Sequence, residues 1–90
     1  MCRNIRTLFN FEPPATDDEI RASALQFVRK LSGFTKPSRA NEAVFEEVVG
    51  EVERAARKLV DSLVTSAPKR DRQAEAAKAR ARAAKRYARP

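Results

Sequence analysis

The 90-residue chain contains no histidine, no tryptophan, one cysteine, one tyrosine and two glycines. Each shortage removes a class of function. Without histidine the chain lacks the usual general base near neutral pH and a frequent metal ligand. Cys2 has no second thiol with which to close an internal disulfide or share a zinc ion, which suits a reducing compartment. The two glycines do not form a phosphate-cradling loop, since neither GxGxxG nor GxxxxGK[ST] occurs. No run approaches the roughly 18–20 apolar residues of a membrane span. The opening MCRNIRTLFNF is broken by Arg3, Asn4 and Arg6, where a secretion signal needs a continuous apolar core. The expectation is a cytoplasmic protein that is not an enzyme and uses no cofactor or metal. Cys2 is the one candidate nucleophile. If Met1 were removed it would carry a thiol beside the α-amino group, but a small residue in a terminal segment is the favoured reading.

What the chain does have is charge, unevenly placed. From Ser66 to Pro90 there are nine Lys or Arg against Asp71 and Glu75, so this segment carries the whole net charge of +7. Residues 1–65 balance ten basic against ten acidic side chains and are neutral. The sequence therefore divides into a small helical domain, 1–65, and a basic Ala/Arg-rich helical tail, 66–90. Such asymmetry points to a polyanionic partner.

The neutral part reads as helices. Thr16 with Glu19 three residues later is a capping box, and Asp17 and Asp18 suit the positive end of a helix dipole. Ile20, Ala24, Phe27, Val28 and Leu31 follow at helical spacing, and Gly33 supplies a C-terminal cap, which predicts a helix over 17–32. A loop, Phe34 to Ser38, leads to a second helix over 39–63, capped by Ser38 or Asn41 and apolar at Phe45, Val48, Val49, Val52, Ala55, Ala56, Leu59, Val60 and Leu63. Gly50 inside it costs about 1 kcal/mol against alanine. Acids fill its front half and bases its back half, with pairs four apart such as Glu53 and Arg57. Ile5, Leu8, Phe9 and Phe11 predict a short N-terminal helix over residues 4–11 that closes the pair before Pro13-Pro14. The fold class expected is all-α: an antiparallel helical hairpin with a short N-terminal helix and a C-terminal basic helix from about Asp71.

In that last helix alanines fall at 74, 77, 81, 84 and 88, and no large apolar face accompanies them. It cannot dock strongly by burial, nor insert into a bilayer surface, which needs Trp, Phe or Leu on one face. It can neutralise phosphates, with arginine bidentate and counterions released. The expected partner is nucleic acid, RNA before DNA, with the ribosome as a candidate, contacted by Lys69, Arg70, Arg72, Lys78, Arg80, Arg82, Lys85, Arg86, Tyr87 and Arg89. Tyr87 offers one ring for stacking. Arg3, Lys36 and Arg39 form a candidate second patch, although the plainer reading of their loop is a Pro37-stiffened connector with Phe34 tucked beneath it. The alternative is a helical protein-interaction module whose charged tail is merely solvated.

The strings MCRNIRTLFNFEPPAT and LSGFTKPSRANEAVFE and the basic Ala/Arg end resemble a bacterial family of unknown function (domain of unknown function 2277). That resemblance covers essentially the whole chain. It implies a small bacterial protein whose hallmarks are Cys2, Arg3, Asn4 and the Phe34–Ser38 loop, with no activity attached. The order of short lead, capped helix, loop and second helix is also similar to a J-domain. Such domains act through an HPD tripeptide in the loop, which here reads GFTKPSRAN. The similarity therefore extends to layout and not to co-chaperone activity.

Overall fold

The structure, a computed structural model, describes residues 5–87. In chain order these form strand β1 (Phe11–Glu12), helix α1 (Asp17–Ser32), a 3₁₀ turn (Arg39–Asn41), helix α2 (Glu42–Ser62), strand β2 (Arg70–Asp71) and helix α3 (Arg72–Tyr87).

Helix α1 starts and stops where its sequence says. The Thr16 hydroxyl accepts from the Glu19 N–H at 3.2 Å, and the Glu19 carboxylate accepts from the Thr16 N–H at 2.9 Å. This satisfies two donors at the helix start. At the other end Gly33 takes φ 78°, a left-handed conformation cheap only for glycine, and donates to the Arg29 carbonyl at 2.9 Å. Helix α2 begins three residues later than its periodicity suggests, because Arg39–Asn41 form the 3₁₀ turn first. Neither predicted cap makes a side-chain bond to the helix. Asn41 Nδ2 donates to Ser38 Oγ at 2.9 Å instead.

The two helices pack through Ala24 and Val28 of α1 and Phe45 and Val49 of α2, flanked by Leu25, Val48 and Val52. Ile20 and Ala15 are also buried. Polar contacts fix the register. Arg57, late in α2, reaches Asp17, the first residue of α1, at 2.9 Å. Arg21 holds Glu53 at 3.0 Å and Glu46 at 2.9 Å. The expected Glu53–Arg57 pair is therefore not made. Glu53 is drawn across to α1, and Arg57 pairs along α2 with Asp61 at 3.1 Å.

Two expectations are corrected. Residues 5–10 form no helix, and Asn4 lies outside the described residues. Asn10 has φ 67°, which ends any helical path, and Phe11 and Glu12 instead pair in parallel with Arg70 and Asp71. The fold is mostly helical with a small two-stranded parallel sheet. Phe34, expected beneath the helix pair, is 48% exposed. The loop is held from its other side, by Arg29 Nε donating to the Thr35 carbonyl at 2.9 Å and the Phe34 N–H donating to Ser32 Oγ at 3.2 Å.

The result is a thin slab of 48 × 41 × 16 Å. Its radius of gyration is 16.2 Å, against about 12 Å for a compact chain of this length. The excess follows from α3, which touches the rest mainly through its first turns.

Candidate nucleic-acid interface

The basic segment begins inside the body. Asn10 Nδ2 donates to the Pro68 carbonyl at 3.0 Å, and the Arg70 N–H donates back to the Asn10 carbonyl at 2.8 Å. This exchange aligns β2 beside β1. Arg70 and Arg72 then both lie near the Phe11 ring, with guanidinium carbons 5.8 and 5.7 Å from its centroid, within cation–π range. Lys69 reaches Glu12 at 3.3 Å.

Arg72 makes the central contact. Its Nη1 and Nη2 donate to the two oxygens of Glu19 at 2.7 and 2.8 Å, and its Nε donates to the Pro13 carbonyl at 2.7 Å. The paired geometry is the strong, bidentate form of an arginine–carboxylate contact. Arg6 adds a longer bond to the same carboxylate at 3.3 Å. Glu19 thus closes the α1 cap and anchors α3 together. The hydrogen bonds from Arg72, then the Thr16 N–H, hold its pKa down at about 2 against the small opposing effect of burial. Glu19 in turn raises the pKa of Arg72. Immediately after the anchor, Asp71 Oδ1 accepts from the Ala74 N–H at 2.8 Å and starts α3.

The structure therefore divides the predicted cationic residues by their contacts. Lys69, Arg70 and Arg72 touch Glu12, Phe11 and Glu19, Arg72 half-buried and the other two still exposed. Lys78, Arg80, Arg82, Lys85 and Arg86 are exposed along α3. Lys78, Arg82 and Lys85 share one face at steps of four and three residues. Glu75, Ala76 and Ala79 face a different direction, toward Arg6–Leu8 across a cleft of about 370 Å³. Tyr87 is the final residue of α3, while Arg89 and Arg3 lie outside the described residues. Lys36 and Arg39 are exposed at the far end of α1 from Glu19, about 24 Å along a 16-residue helix. They do not join the anchor.

The capping role of Glu19 was visible in the sequence, but its contact with Arg72 and the roles of Phe11 and Arg6 were not. Glu19 is fully accounted for by its cap, and nothing local marks it as the target of an arginine 53 residues away. Among the described residues no group of acids, cysteines or histidines could hold a metal ion, and no helix is long and apolar enough to cross a membrane.

Comparison with curated proteins and with solved structures finds no match. The family described as "Uncharacterized conserved protein (DUF2277)" matches residues 1–78, a span that holds both packed helices, the β1–β2 contact, the Glu19–Arg72 anchor and the first turns of α3. With most of its length matched, the chain belongs to the DUF2277 family.

Proposed function

We propose that this is a cytoplasmic binding protein, not an enzyme, in which α1 and α2 form an antiparallel hairpin and α3 attaches the molecule to RNA, at or near the ribosome. The observation that carries the reading is the division of the cations. Those of residues 69–72 are used to build the fold. Lys78, Arg80, Arg82 and Lys85 are exposed and make no ion pair among the described residues. A segment in which Lys69, Arg70 and Arg72 hold it to the body, and whose helix then presents four more cations to solvent, suits a phosphate backbone. The alanines between them let that backbone come close. The contacts of Arg57 with Asp17 and of Arg21 with Glu53 support the antiparallel hairpin. The cation-rich end lies beyond the matched residues 1–78, so the proposal concerns this chain rather than its family.

The test compares the wild type with a variant carrying Lys78→Gln, Arg80→Gln, Arg82→Gln and Lys85→Gln, which leaves Arg72 and the anchor intact. Binding to a structured RNA and co-sedimentation with ribosomes are measured over a salt series. The wild type should lose roughly 0.7–0.9 log units of affinity per log unit of salt for each phosphate neutralised. The variant should bind at least about tenfold more weakly with a shallower slope, since it lacks those contacts. Equal binding by both proteins would rule the reading out and favour a helical protein-interaction module, to which the exposed Leu31, Phe34 and Val44 already lend support.

A further inference from the structure

Helix α2 carries a second apolar row that α1 covers only in part, at the half-buried Val48 and Val52. Val44, Val48, Val52, Ala55 and Leu59 recur at steps of four and three, so they share one face. The row runs about 22 Å along the helix. Its ends stand open, Val44 at 54% and Leu59 at 57% exposure, and Leu31 and Phe34 extend the same apolar surface at the loop end, beside a cleft of about 360 Å³. Beside this row runs a charged one. It reads Glu47, Glu51, Arg54, Lys58, acids first and bases last. All four side chains are exposed, and none makes an ion pair among the described residues.

Both rows have the same symmetry. Reversed about Val52, the apolar row maps onto itself to within one residue, with Val44 falling beside Leu59 and Val48 beside Ala55. Under the same reversal, again to within one residue, the charged row maps onto its complement, with Glu47 falling beside Lys58 and Glu51 beside Arg54. A two-fold axis makes this demand of a surface that binds its own copy: each patch must be its own partner when turned around. We propose that this face is a homodimer interface, in which α2 packs antiparallel on α2 of a second copy about an axis near Val52. The five apolar side chains form the seam. Glu47 and Glu51 of each copy face Lys58 and Arg54 of the other. An unrelated helix would need its charges in this one order to do as well, whereas a second copy has them by construction. This interface is independent of α3 and of RNA.

The test uses two charge-reversed proteins. One carries Glu47→Lys and Glu51→Lys, the other Arg54→Glu and Lys58→Glu. Each should repel its own copy, since like charges then meet across the axis. Mixed together they restore every opposite pair. Sedimentation equilibrium of the wild type should show a monomer–dimer equilibrium. Each variant alone should dissociate with a constant at least about tenfold higher, and an equimolar mixture should recover a one-to-one dimer. Val44→Lys, at a half-exposed position that leaves the core intact, should also dissociate the dimer while keeping the helical circular dichroism of the wild type. A wild type that is monomeric at every accessible concentration would overturn the proposal. So would a dimer that Val44→Lys and both reversals leave unchanged, or two folded variants that fail to associate when mixed.

Discussion

Glu19 takes hydrogen bonds from Thr16, Arg72 and Arg6, and its protonation therefore has a readable consequence. Its pKa in the folded protein is about 2, against an ordinary value of 4.5. A carboxylate with a depressed pKa stabilises the fold fully above its unfolded pKa, and that contribution disappears as pH falls through the folded one. Stability attributable to Glu19 is thus intact above about pH 4.5 and is lost between there and about pH 2. Glu19→Gln should cost about 1–2 kcal/mol at neutral pH, or roughly 5–10 °C in Tm for a domain of this size. Thermal melts of both proteins over a pH series should show the gap constant above pH 5 and closing by about pH 2. A gap that persists unchanged at low pH would mean that Glu19 contributes shape and not charge. Half of this residue's work was legible. Thr16 and Glu19 at their spacing announce a cap, but the guanidinium that shares the carboxylate arrives from a distant segment with no local signature.

At the scale of the element, the sequence is most informative where structure is local. The bounds of α1 follow from its cap, its apolar period and Gly33. The long period of α2 identifies the helix and misses only the 3₁₀ turn at its start, since a tighter turn leaves no separate mark in a three-to-four spacing. The N-terminal segment is where the reading failed. Ile5, Leu8, Phe9 and Phe11 have helical spacing, yet the backbone at Asn10 turns left-handed and Phe11 finds its strand partner in Arg70, far along the chain. Periodicity cannot report such a pairing. The two glycines make opposite predictions. A side chain at Gly33 would meet nothing within 4 Å, so the cost of Gly33→Ala is the left-handed backbone alone, about 1 kcal/mol. A side chain at Gly50 would meet only the flexible tip of Arg54, at 3.2 Å, which can move. Gly50→Ala should raise stability by about 0.5–1 kcal/mol through helix propensity. Chemical denaturation of the two variants checks both signs in one experiment.

For the whole molecule, the composition suggested a neutral body and a basic tail that begins at Ser66. Charge does change there, but the contacts do not stop there. Pro68, Lys69, Arg70 and Arg72 all bond to residues of the first 19. A chain ending at Ala67 should therefore be less stable than one ending at Lys78, by about 2 kcal/mol or more, because it strips Glu19 of its bidentate partner. Urea midpoints of the two truncations decide this, and equal midpoints would show that the tail is attached without supporting the fold. The distinction also governs how binding experiments are built, since only the longer truncation removes exposed cations without disturbing the body.

The parallel contact between β1 and β2 has a consequence in time. The core between helices α1 and α2 uses no residue beyond 62, so its contacts do not depend on the segment that follows. Asn10 must wait for Pro68, 58 residues later. At 5–20 residues per second, the interval between the completion of α2 and that of β2 is on the order of a second. Before Arg70 and Arg72 exist, Glu19 lacks its bidentate partner and Phe11 lacks both guanidinium groups. In the finished molecule both arginines lie over the Phe11 ring and Arg72 shares the Glu19 carboxylate.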